Sequence, residues 1–175
     1  MWGMLTLIRE TKSGEAAQVL ALYPLAFEEE ELRPLVSDLL GETSGVLSLA
    51  GFEGEEIIAH VIFTDCGTKL HGEGALLAPL AVHPKVQRLG WGSAVVREGL
   101  DRLTERGASQ VFVLGDPGYY ERFGFLPERD VLPPYPIPEA YADAWQSLTL
   151  DGREPLAAGP LHLPSPWMDE SLWGE

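Results

Sequence analysis

The chain has 175 residues, of which 45% are hydrophobic and 22% charged, the size and texture of a folded domain that buries its core without disulfides or metals. A formal net charge of -15 argues against nucleic acid as a partner, because phosphate contacts require clustered Lys and Arg. No apolar run approaches the roughly 20 residues that cross a bilayer, and the start MWGMLTLIRE lacks the basic and long apolar regions of a signal peptide, so a cytoplasmic protein without membrane contact is expected.

In chain order, Leu5 to Ile8 reads as a short strand, and SGEAAQVLALYPLAF as an amphipathic helix with Ser13 as its N-cap. A second helix is expected over Glu30 to Leu40, with Leu32, Leu35, Val36, Leu39 and Leu40 on one face and Gly41 as its stop. The acidic run Glu28 to Glu31 fits a solvated helix start that favours the dipole better than a metal site, and no metal is expected. VLSLAGF at 46 to 52 and IIAHVIFTDC at 57 to 66 read as strands of an antiparallel hairpin turned by EGEE. His60 inside the second strand reads as packed or hydrogen-bonded rather than as a ligand, and Cys66, the single cysteine, as a buried structural thiol. GTKLHGEG, with His71 and Glu73 near its end, is a loop.

Leu76 to Val82 is continuously apolar, as in a central strand covered on both faces. Pro79 has no N–H to give to a neighbouring strand and predicts a bulge or a place where two strands part, which would leave main-chain groups of Leu80 to Val82 for a ligand. A glycine-rich turn follows, and Trp91 to Arg106 has a helical stripe of Val95, Val96, Leu100 and Leu103 ended by Gly107. The first N–H groups of such a helix have no intrahelical partner and attract anions. Between Lys85 and Arg106 the cations Lys85, Arg88, Arg97, Arg102 and Arg106 outnumber Glu98, Asp101 and Glu105, a positive island in an acidic chain.

VFVL at 111 to 114 is a further strand, and strand, long helix, strand is a right-handed crossover, so this strand and that at 76 to 82 are expected to be parallel. GDPGYYERFGF gives a turn, a short helix from about Pro117 and a strand from Phe125. Eight of the 14 prolines lie beyond Asp130, and WQSLTL at 145 to 150 is a candidate strand. We expect a domain over residues 1–150 and an extension over 151–175, whose Trp167 and Trp173 suit packing on the same domain or a homodimer contact.

QRLGWG at 87 to 92 is a QxxGxG pattern, and glycine turns before helices also serve dinucleotides and nucleoside triphosphates. The dinucleotide fingerprint fits poorly, since Gly90 comes eight residues after Val82 and Val95 fills the third glycine place; a GxxxxGK[ST] loop is absent. Tyr120, Gly124 and Phe125 form YxxxGF one helix and one strand later. With these two motifs in order, the chain resembles the GNAT superfamily of acyl-CoA-dependent N-acetyltransferases, over about residues 3 to 130 and most specifically 76 to 126.

That resemblance implies a mixed α/β fold whose central sheet is splayed between the strands at 76 to 82 and 111 to 114, with acetyl-CoA as co-substrate in the opening. The main chain of Leu80, Ala81 and Val82 would bond the pantetheine arm; Arg88, Leu89, Gly90, Trp91, Gly92 and Ser93 would cradle the pyrophosphate, with Gln87 bracing the loop. The family reaction is attack of an amine on the thioester, collapse of a tetrahedral intermediate and departure of a thiolate. A main-chain N–H near Leu80 would polarise the carbonyl, and Tyr120 matches the general acid, with Tyr119 in reserve.

Relatives with a glutamate base place it where this chain has Leu76, which cannot take a proton; Glu73, His83, Asp116 or a water route are the substitutes. The expected activity is direct transfer of the acetyl group of acetyl-CoA to the amine of a small molecule, and the alternative is an acyl-CoA-binding sensor or partner module without turnover.

Overall fold

Residues 6–68 and 73–174, which the computed structural model describes, form nine strands and four α-helices. The strands are β1 (Thr6–Glu10), β2 (Val46–Glu53), β3 (Glu56–Cys66), β4 (Gly74–Val82), β5 (Gln110–Leu114), β6 (Leu126–Pro127), β7 (Val131–Leu132), β8 (Trp145–Thr149) and β9 (Gly159–Pro160). The helices are α1 (Ala16–Ala26), α2 (Arg33–Leu40), α3 (Trp91–Glu105) and α4 (Pro117–Tyr120). Seven strands make one sheet in the order β1-β2-β3-β4-β5-β8-β6, and β7 pairs with β9 separately.

The pairing is mixed. β1 runs antiparallel to β2, from Thr6 opposite Glu53 to Glu10 opposite Leu49, and β8 runs antiparallel to both β5 and β6. β4 and β5 are parallel, as the crossover through α3 requires, with Gly74–Leu76 opposite Gln110–Phe112. Pro79 and the residues after it lie beyond that ladder.

Several elements depart from the sequence expectation for local reasons. β1 runs on to Glu10, past the expected end at Ile8, while Leu5 lies outside the described residues, as does His71. Ser13 does not cap α1; it opens a 3-10 turn over Ser13–Glu15, where the Glu15 carboxylate accepts from the Lys12 amide at 2.8 Å. Arg9 holds that carboxylate with two bonds, at 2.9 and 2.7 Å. α2 starts at Arg33 rather than Glu30, because Pro34 suits a first turn, where its missing N–H costs nothing, and would clash with the carbonyl of residue 30 inside a longer helix. In β4, burial is continuous only from Gly74 to Leu77; from Ala78 to Val82 buried and half-buried residues alternate, so full cover on both faces is limited to the first half.

The chain divides into two compact units, residues 1–63 with 79–101 and residues 64–78 with 102–175. In the first, Val19, Leu22, Val36, Leu39, Leu49, Ile58 and Ile62 are buried. α3 contributes Val95 and Val96, and it approaches β3 where a Cβ on Gly99 would stand 2.0 Å from the Phe63 ring. His60 is fully buried and has a partner on each ring nitrogen: Tyr23 Oη at 2.7 Å from Nδ1 and Ser48 Oγ at 2.7 Å from Nε2. Thr11 Oγ1 donates to Ser48 Oγ at 2.8 Å. Burial pushes the imidazole down to about 3, so it is neutral.

In the second unit Trp145 stacks on Phe112 and gives its indole N–H to Val131 O at 2.8 Å. Trp173 meets Trp145 edge to face and donates to Trp167 O at 3.0 Å, while Trp167 donates to Thr64 Oγ1 at 3.2 Å. The indoles thus bury apolar area with their polar atoms satisfied. Cys66 is buried and unpaired, its thiol pushed above the usual range by burial and then by Asp65. Among the described residues, no helix is long and apolar enough to cross a membrane and no cluster of three or more His, Cys, Asp or Glu could hold a metal ion.

Candidate active site

The glycine-rich stretch of the first unit forms a 3-10 turn over Pro84–Val86 and an irregular turn into α3. His83 caps the 3-10 turn: its Nδ1 accepts from the Lys85 amide at 3.1 Å, and its own N–H donates to Ile58 O at 2.8 Å. The buried Val86 ties the turn to the interior. Gln87 reaches back to donate from Nε2 to Val82 O at 3.1 Å, so the end of β4 and the loop are joined by a side chain.

Arg88 and Gly90 both take left-handed backbone, with φ of 66° and 95°. Glycine adopts this conformation freely, whereas at an arginine it costs roughly 1–2 kcal/mol. The first intrahelical bond of α3 runs from the Ala94 amide to Gly90 O at 3.0 Å, so the amides of Trp91, Gly92 and Ser93 precede the helical ladder. A Cβ built on Gly90 would meet nothing within 4 Å, and Arg88, Leu89 and Gly90 are exposed. An approachable turn, amides at the positive end of a 15-residue helix and a guanidinium fit a pyrophosphate.

Two features of this loop escaped the sequence reading. Lys85 does not stand free in the positive island; its Nζ pairs with Glu56 at 2.6 Å and lowers the pKa of that carboxyl. The Trp91 indole lies on Gly51 of β2, where a Cβ would come within 2.9 Å of ring carbons Cε3 and Cζ3. A glycine opposite a tryptophan at a helix start is the only sequence signal for that contact, and nothing local pairs them.

The second unit holds YxxxGF. Asp116 caps α4, its Oδ1 accepting from the Gly118 amide at 2.9 Å, and Tyr120 closes the helix with its amide on Asp116 O at 3.1 Å. A 3-10 turn over Glu121–Phe123 ends at Gly124, whose φ of 100° reverses the chain, and Phe125 plugs the core at 2% exposure. The Tyr120 ring is half-buried against Phe125, Phe123 and Tyr119, with centroids 5.8, 6.2 and 5.0 Å away. Burial raises its pKa above the ordinary phenol, with Tyr119 and Asp116 adding to the effect.

The candidate bases have local tasks. Glu73 accepts from Ser109 Oγ at 3.1 Å, His83 and Asp116 cap turns, and Leu76 is buried in the parallel ladder opposite Phe112. A separate cavity of about 250 Å³ in the first unit is lined by Thr11, Ser13, Leu39, Leu40 and Ser48 among others, and by none of the motif residues.

The GNAT acetyltransferase family model matches residues 16–125, more than half of the chain. The chain belongs to the GNAT acetyltransferase family. This GNAT protein is 33% identical over 165 residues to the uncharacterized N-acetyltransferase YjhQ of Escherichia coli (strain K12), covering 89% of this chain and 91% of that one. It is 37% identical over 123 residues to the uncharacterized N-acetyltransferase YhbS of the same strain, covering 68% and 72%. The crystal structure of YhbS in complex with CoA superposes with a TM-score of 0.81 and 29% identity, covering 95% of this chain and 93% of that one. A GNAT family acetyltransferase from Brucella melitensis in complex with acetyl-CoA superposes with a TM-score of 0.75 over 93% and 98% of the two chains; at 24% identity it speaks for the fold. By this membership the GNAT chain is an N-acetyltransferase.

Proposed function

We propose that this protein transfers the acetyl group of acetyl-CoA directly to the amine of a small molecule in the cytoplasm, where that donor is available. The observation that carries the reading is the turn into α3, where left-handed Arg88 and Gly90 precede the free amides of a long helix. These amides and the Arg88 charge would hold the pyrophosphate, Gln87 would brace the loop, and the main chain of Leu80, Ala81 and Val82 would bond the pantetheine arm.

Bringing the amine up to the thioester leaves three tasks, two for the chain and one for water. The Leu80 N–H would donate to the carbonyl oxygen as negative charge develops there. As the C–N bond forms and the C–S bond breaks, Tyr120 would give its proton to the departing sulfur and regain one from solvent; its raised pKa keeps that proton in place at neutral pH. The amine, with a lysine-like pKa of roughly 10.4, must shed a proton as well, and water is the acceptor we assign. Glu73, His83 and Asp116 already hold main-chain or side-chain partners, which favours water over any of them.

Calorimetry with acetyl-CoA tests the donor site, and no binding at millimolar concentration would reject it. Thiol release from acetyl-CoA across an amine library tests turnover: binding without release from any amine would leave a sensor module. Tyr120→Phe is expected to lower kcat by about 10²-fold with little change in acetyl-CoA affinity.

A further inference from the structure

The Tyr120 ring packs against a glycine that belongs to neither motif. Gly115 follows β5, and a Cβ built on it would stand 2.5 Å from Tyr120 Cε2, 3.1 Å from Cδ2 and 3.5 Å from Cζ. Real Cβ atoms do not approach ring carbons this closely, so the bare Cα is what allows the ring its place. Conformation does not explain the glycine, because Gly115 is not among the residues with positive φ. Space does.

The main-chain side of this contact is the one that cannot give way easily. The Gly115 N–H donates to Ala144 O at 2.9 Å, and its carbonyl accepts from Gln146 Nε2 at 3.1 Å. The same Nε2 lies 3.2 Å from Ala144 O, and Gln146 is 1% exposed, so a buried amide clamps both chain segments. The Tyr120 ring is walled by Phe123, Phe125 and Tyr119. A methyl group at 115 would therefore be relieved by moving the phenol.

We propose that Gly115, fixed by Gln146, is the positioning residue that sets the Tyr120 hydroxyl for proton donation. The inference rests on the reading of Tyr120 as the general acid.

The test uses the full chain and the amine that gives the fastest thiol release from acetyl-CoA. Gly115→Ala is expected to lower kcat at least about tenfold with the acetyl-CoA Kd unchanged within about twofold. Combined with Tyr120→Phe it should add no further loss, whereas general damage to the fold would multiply with it. Full activity of Tyr120→Phe would overturn the acid reading and the inference with it. A slow Tyr120→Phe beside a fully active Gly115→Ala, or losses that multiply, would overturn the inference alone.

Gln146→Met removes the clamp without adding bulk and serves if Gly115→Ala does not fold; it should slow turnover several-fold and again add nothing to Tyr120→Phe, and a full rate would count against the proposal. A readout free of turnover is 3-fluorotyrosine at position 120: Gly115→Ala, or Gln146→Met in its place, should shift its ¹⁹F resonance, and an unmoved resonance would overturn the inference.

Discussion

The Trp91 indole rests on Gly51, with the space for a Cβ already filled by two ring carbons 2.9 Å away. The contact ties the first residue of α3 to the middle of β2 and so fixes where the helix amides begin. Gly51→Ala should displace the indole and disturb the turn at Arg88 and Gly90. The expected result is a three- to tenfold rise, roughly, in the acetyl-CoA Kd with kcat at saturation within about twofold, a cost in line with overpacking. Titration calorimetry and steady-state kinetics on the same variant would show it, and an unchanged Kd would detach Trp91 from donor binding.

Arg88 sits in left-handed backbone that glycine adopts without strain. Arg88→Gly should therefore raise stability towards urea by up to about 1 kcal/mol while weakening acetyl-CoA binding and flattening its salt dependence. Denaturant titrations and calorimetry at two salt concentrations separate the effects. Equal or tighter binding without the guanidinium would remove Arg88 from the phosphate site.

Because burial raises the Tyr120 pKa above the ordinary value of about 10, its loss as a proton donor should appear only above about pH 10. The kcat profile of the wild-type enzyme should accordingly show no alkaline fall up to about pH 9.5. A fall centred near pH 8 that vanishes in Tyr120→Phe would contradict this, whereas one that persists belongs to another group.

His60 links stability to acid. Its folded-state pKa is pushed down to about 3 by burial, against about 6.5 in the unfolded chain, so between these values the unfolded state binds more protons. Stability from this group is complete above about pH 6.5 and is lost progressively as pH falls towards 3. Glu15 acts in a lower window: the side-chain bond from Arg9 holds its carboxyl at about 2, so its contribution is present above the unfolded value of about 4.3 and is lost as pH falls through 2. Urea midpoints from pH 7 to 4.5 should fall less in His60→Leu than in the wild type, although that variant is weaker throughout because Tyr23 and Ser48 lose a partner. Parallel curves would reject the assignment.

The local signals were legible wherever a residue's task depends on its near neighbours. The periodicity of Val95, Val96 and Leu103 marked α3, Asp116 stood ready as a cap, and Gly124 marked the reversal after Tyr120. His60 could be read as a packed residue because an isolated imidazole in an apolar strand has few other uses. A start at Glu30 would put Pro34 inside the helix, and its preference for the first turn sets the start of α2 at Arg33 instead.

What the sequence by itself determined is the family, through two short motifs in order, and the parallel pairing of β4 with β5, since a helix between two strands permits little else. What only the tertiary structure decided is which distant residues meet. β8 enters between β5 and β6, and that placement brings Ala144 and Gln146 to Gly115. Glu56 takes up Lys85, and Gly51 receives Trp91. These contacts depend on sheet order and register, which arise from packing of the whole chain, so no spacing along the sequence could announce them.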